Sequence, residues 1–114
     1  MAEDIIPEQV KSDIQRLITE LQKEGINVER AIVFGSHVIG GATEFSDIDV
    51  ALVSSDFPGS RFENNVQIVK TVLKVNYLLE THPYRPEDFY DSPFVRDEII
   101  KKGIEISIKT LRDK

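Results

Sequence analysis

The chain has 114 residues, 40% of them hydrophobic and 30% charged, with a formal net charge of −6 and no cysteine. That length and balance suit one folded domain, expected over residues 1–114, and exclude a disulfide, a thiolate zinc site and a catalytic thiol. An acidic chain with no basic tract is a poor non-specific binder of nucleic acid, and no apolar run approaches the ~20 residues of a membrane span.

The chain opens on Met1-Ala2-Glu3-Asp4, which lacks a signal peptide's basic start, so a cytoplasmic protein is expected. Residues 7–24 read as an amphipathic helix, with Val10, Ile14, Leu17, Ile18 and Leu21 on one face, Pro7 in the first turn and Gly25 at the stop. Residues 26–34 contain a first strand, and residues 36–41 form a short helix or turn broken by Gly40-Gly41. Ile48–Val53 is a short run rich in Ile and Val and reads as a buried second strand. After a loop at 54–59, residues 61–74 predict a second long helix, with Phe62, Val66, Val69, Val72 and Leu73 as its apolar set.

Residues 75–81 read as a third strand, with Val75, Tyr77 and Leu79 on one face and Asn76, Leu78 and Glu80 on the other. Residues 82–86 form an irregular exit, and Pro86 starts a helical turn. A further helix is expected over 94–102, with Gly103 as its stop, and a last strand over 104–108. Tyr77 and Phe94 are read as core residues. The polar tail at 110–114 is expected to fray. Helices and strands alternate, which implies a sheet with helices packed on it, an α/β or α+β class.

Chemistry concentrates where the first two strands face each other. Asp47 and Asp49 are two residues apart on one strand, so their side chains leave the same face while Ile48, Val50 and Leu52 leave the other. Two carboxylates held side by side repel each other. A divalent cation relieves that repulsion, and hard oxygen ligands suit Mg²⁺. Gly35 allows the backbone close to a ligand. Ser36 stands where a hydroxyl and free helix N–H groups can hold phosphate oxygens, although the same residue serves equally as a helix cap. His37 and His82 read as surface or hydrogen-bonded residues, and Arg61, Lys70 and Lys74 as solvated helix charges.

Gly35-Ser36 followed after ten residues by Asp47-x-Asp49 resembles the signature of the polymerase β-like nucleotidyltransferases. The wider text, Phe34-Gly35-Ser36 and Ser46-Asp47-Ile48-Asp49-Val50, is similar to that of the minimal nucleotidyltransferases. The resemblance implies an α+β fold with a mixed β-sheet of about four strands. It implies transfer of a nucleotidyl group, AMP from ATP, to a hydroxyl. Gly35 and Ser36 would hold the triphosphate, and Asp47, Asp49 and a third carboxylate would hold two Mg²⁺ ions. Glu80, the acidic residue of the third strand, is the choice for that third carboxylate over Glu87, Asp88 and Asp91, which sit in a polar turn.

By the same resemblance the partner is a small helical protein of the HEPN type, a toxin whose tyrosine receives the nucleotide while this chain acts as antitoxin. A small-molecule hydroxyl is the second acceptor considered. A non-catalytic binding module with a vestigial nucleotide site is the rival class, and a homo-oligomer is left open. The family often carries basic residues at the positions of His37 and Ile39. Here Ile39 has no charge.

Overall fold

The computed structural model describes residues 5–43 and 45–108; the expectations for residues 1–4 and for the tail lie outside them. The elements run α1 (Glu8–Lys23), β1 (Arg30–Phe34), α2 (Ser36–Ile39), β2 (Ile48–Val53), α3 (Arg61–Val75), β3 (Leu79–Tyr84), α4 (Pro86–Asp91), α5 (Val95–Ile100) and β4 (Ile104–Glu105). The last helix is a wide π-type turn, closed by the Lys101 N–H on the Arg96 carbonyl at 3.3 Å. The strands form a mixed sheet of order β3-β2-β1-β4, in which β1 runs antiparallel to both neighbours and β2 runs parallel to β3. The α+β class and the four-strand mixed sheet are as expected.

Strand alternation divides the core in two. Ile48, Val50 and Leu52 of β2 join Ala31, Val33 and Leu79 on one face. There α1 seals them with Val10, Ile14, Leu17, Ile18 and Leu21, and α3 with Ile68 and Val72. The other face carries Ile32, Phe34, Ala51, Val53 and Tyr84, covered by Phe89 of α4 and by Val95 and Ile99 of α5. Gly103 closes this second layer. A side-chain carbon there would stand 2.3 Å from the Ile99 carbonyl oxygen and 2.6 Å from Ile32, so only glycine lets the chain pass into β4.

Four expectations are corrected. Most of the apolar set of α3 faces outward: Phe62, Val66, Val69 and Leu73 are exposed, only Val72 of the set is buried, and the helix also buries Asn64, Ile68 and Thr71. The buried polar pair is fully employed. The Asn64 amide oxygen accepts from the Gly59 N–H at 2.9 Å, and its NH₂ donates to the carbonyls of Gly59 and Pro83 at 3.0 and 3.2 Å. The Thr71 hydroxyl donates to the Glu24 carboxylate. Satisfied polar groups are tolerated inside, so hydrophobic spacing alone misplaced the inner face.

The third strand starts later than predicted. The Asn76 side chain accepts from the Leu78 N–H at 2.8 Å, a local turn that ends the helix and delays β3 to Leu79. Pro83 then lies within β3, which an edge strand permits. Tyr77 falls in that turn and is exposed, as is Phe94. The last strand stops at Glu105, short of the predicted 108.

Candidate active site

The second face of the sheet is covered only in part. Ala51 and Val53 lie beneath α4 and α5, but Asp49, on the same side of β2, lies beyond their apolar cover. Register decides what surrounds it. Asp49 stands opposite Phe34 of β1 on one side and opposite Glu80 of β3 on the other, with His82 two pairs further along β3, opposite Ala51. Ligand atoms of Asp49, Glu80 and His82 lie within 4.8 Å of one another. Glu80 is exposed, whereas Asp49 and His82 are half-buried.

Gly35 brings the turn after β1 against this cluster. It has φ +81° and ψ −149°, a region essentially reserved for glycine. A side-chain carbon on it would stand 2.6 Å from Asp49 Oδ2. The turn and the carboxylate therefore share one space. Ser36 follows, exposed, as the first residue of α2. The α2 backbone closes on Gly35, whose carbonyl accepts from the N–H groups of Val38 and Ile39, both at 2.9 Å.

A chain of side chains holds Asp49 from behind. Arg61 Nη1 donates to the Tyr84 hydroxyl at 3.1 Å and approaches His82 Nδ1 at 3.4 Å. A guanidinium has only donors, so Nδ1 accepts and Nε2 carries the hydrogen. That N–H donates to Asp49 Oδ1 at 3.2 Å. The ring of Phe34 packs edge-on against the imidazole with centroids 4.9 Å apart. Oδ1 of Asp49 is thus engaged by His82, while Oδ2 faces the Gly35 turn and Glu80 stands beside it.

Of the residues singled out in the sequence, Gly35, Asp49 and Glu80 meet. Asp47 lies just before β2, exposed and outside the cluster. The residue that joins without having been chosen is His82. Its signal was its place two residues after Glu80, which on a strand puts both on one face. The third strand had been placed too early to include it.

Two cavities flank the site. A groove of about 540 Å³ runs between α3 and β3, past Arg61, Phe62, Asn65, Glu80, Thr81 and His82. A second cavity, of about 560 Å³, lies beside the Gly35-Ser36 turn, between α1 and α2, with Val10, Asp13, Ser36, His37, Ile48 and Asn76 in its lining. His37 Nε2 is buried and has no hydrogen-bond partner among the described residues.

These residues fit a divalent cation. Asp49 and Glu80 supply hard oxygens from neighbouring strands, as Mg²⁺ prefers, and Asp49 is held by a hydrogen bond from behind, as metal-binding carboxylates commonly are. Gly35, having no side chain, leaves the space next to Asp49 Oδ2 unfilled.

Comparison with known proteins agrees with this picture. The family model of the nucleotidyltransferase domain matches residues 14–110. No curated protein matches the sequence. Among solved structures, a candidate nucleotidyltransferase from Sulfolobus solfataricus has a similar fold, with a TM-score of 0.54 at 15% identity, over 85% of this chain and 83% of that one. At that identity the likeness concerns the fold alone.

Proposed function

Because the chain belongs to the nucleotidyltransferase domain family, and so to enzymes that transfer nucleotidyl groups, we propose that it moves AMP from ATP to a hydroxyl in the presence of Mg²⁺. The observation that carries this reading is the meeting of the Gly35 turn with Asp49 and Glu80 at the uncovered end of the sheet. Asp49 and Glu80 would hold Mg²⁺, with Asp47 at the strand entrance as a further carboxylate. When bound, the metal would neutralise charge on the triphosphate and lower the pKa of the acceptor hydroxyl.

The protein's own residues do the positioning. Gly35 gives the phosphates room beside Asp49, and Ser36 offers its hydroxyl and the N–H groups of the first turn of α2. His82, fixed by Arg61 and Phe34, keeps the Asp49 carboxylate from rotating away. In the reaction the acceptor hydroxyl gives its proton to water, its oxygen bonds to the α-phosphorus, the bond from α-phosphorus to the bridging oxygen breaks, and pyrophosphate leaves. Such a transfer asks mainly for alignment and electrostatic support.

The acceptor we favour is a tyrosine on a small helical protein of the HEPN type, which would make this chain its cytoplasmic antitoxin. An open groove with exposed Glu80 supports a macromolecular acceptor over a small molecule in a closed pocket. The test is incubation with Mg²⁺, ATP labelled at the α-phosphate, and such a partner. Label on a partner tyrosine, dependent on Glu80, is expected. Silencing of the partner with no label on any hydroxyl would leave a contact-only antitoxin instead.

A further inference from the structure

Helix α3 turns an apolar stripe away from the fold. Phe62, Val66, Val69 and Leu73 are 78, 58, 45 and 58% exposed. On a helical projection at 100° per residue they fall within one narrow sector, opposite the buried Asn64, Ile68 and Thr71. Their intervals are four, three and four residues, the seam spacing of paired helices. The same intervals read identically in either direction. Two copies of α3 laid antiparallel therefore match layer for layer, Phe62 against Leu73 and Val66 against Val69, each twice about a two-fold axis.

The charges beside the seam obey the same symmetry. Glu63 and Lys70 flank it on one side, both exposed. In an antiparallel pair the residues on one flank of a helix meet those on the same flank of the other. Each Glu63 then faces the Lys70 of the second copy, and the pair occurs twice. Lys70 has no ion-pair partner among the described residues. The Glu63 carboxylate also serves its helix cap, through Oε1 to Ser60.

We infer that α3 is the seam of a two-fold homodimer, and that the occupant of its apolar stripe is the same stripe of a second copy. A two-fold axis demands a self-complementary patch, and α3 meets that demand in both spacing and charge. Arg61 and Asn65, on the other flank of the seam, line the groove that holds Glu80, together with Phe62, Val69 and Leu73 of the seam itself. The two candidate sites would thus open onto the dimer interface. A seam one helix long is smaller than a standard interface, so the dimer is weak and depends on concentration.

The test is sedimentation velocity of the full chain from low micromolar to near-millimolar concentration. The wild type should shift from monomer to dimer across that range. Glu63→Lys and Lys70→Glu, each alone, should weaken the dimer roughly tenfold, because two attractive pairs become repulsive. Mixed one to one, these two variants should dimerise again, since each chain then presents only the charge its partner needs. Val69→Asp should abolish dimerisation, with the fold checked by circular dichroism. Lys70→Glu keeps the helix cap and so remains informative even where Glu63→Lys unfolds. A wild type that stays monomeric, a dimer indifferent to Val69→Asp and Lys70→Glu, or folded single variants that do not recover on mixing would overturn the inference.

Discussion

The two faces of β2 do different work. Ile48, Val50 and Leu52 look into a layer sealed by α1 and α3. Asp49, Ala51 and Val53 look the other way, and α4 and α5 cover the last two of these but not Asp49. One strand therefore carries stability on one side and, at a single uncovered position on the other, the carboxylate of the candidate site. The candidate site is made by incomplete burial. A shorter covering layer leaves Asp49, Glu80 and His82 a rigid floor below and open space above.

Breaking the sealed face should have the largest effect on folding. Leu52 is fully buried, so Leu52→Ala should cost about 2–5 kcal/mol in chemical denaturation, through lost burial and the cavity left behind. On the open face, Glu80→Gln should leave stability nearly unchanged, since Glu80 is exposed. Nucleotidyl transfer should nonetheless fall roughly 10²-fold in a steady-state assay, the size expected for losing a group that works in the transition state. Parallel loss of stability and transfer in that variant would erase the division between the faces.

Gly35→Ala sharpens the comparison from the side of the turn. The backbone there is unfavourable for alanine, and its side chain would strike Asp49. A destabilisation of about 1–3 kcal/mol is expected by thermal melting, with ATP binding lost as well.

The smallest effect lies at the far edge of the sheet. Arg30 holds Glu105 through two bonds of 2.9 and 2.8 Å and keeps its carboxyl below the ordinary glutamate value. A depressed folded pKa stabilises at neutral pH and loses that contribution as pH falls through it. Glu105→Gln should therefore cost at most about 1 kcal/mol near neutrality, given how exposed the pair is. The gap to wild type should close as pH drops below the ordinary value of 4.5. A gap that widens on acidification would contradict the assignment.

Much of this was legible in the sequence because local and tertiary preferences agree. In α1 the apolar stripe is the buried stripe, and in β2 the period-two pattern separates the core residues Ile48, Val50 and Leu52 from Asp49. Gly35-Ser36 sits where the turn needs it. The pattern failed where polar residues do the burying. Asn64 and Thr71 are inside because specific partners meet them, and two of those partners, Pro83 and Glu24, come from distant chain segments. No spacing rule could see that, so hydrophobic spacing alone assigns the exposed stripe of α3 to the core. His82 escaped for a related reason. The Asn76 turn shifted β3 onward, and pairing with β2 then aligned the imidazole with Asp49.

The open end of β2 is proposed to bind a divalent metal together with a nucleoside triphosphate. Calorimetric titration of Mg²⁺ and a non-hydrolysable ATP analogue into wild type and Asp49→Asn tests it most directly, with melting curves to confirm that both chains are folded. Metal-dependent nucleotide binding by the wild type and its loss in the folded variant are the predicted result. Equal binding by both would place the ligand elsewhere and contradict the account.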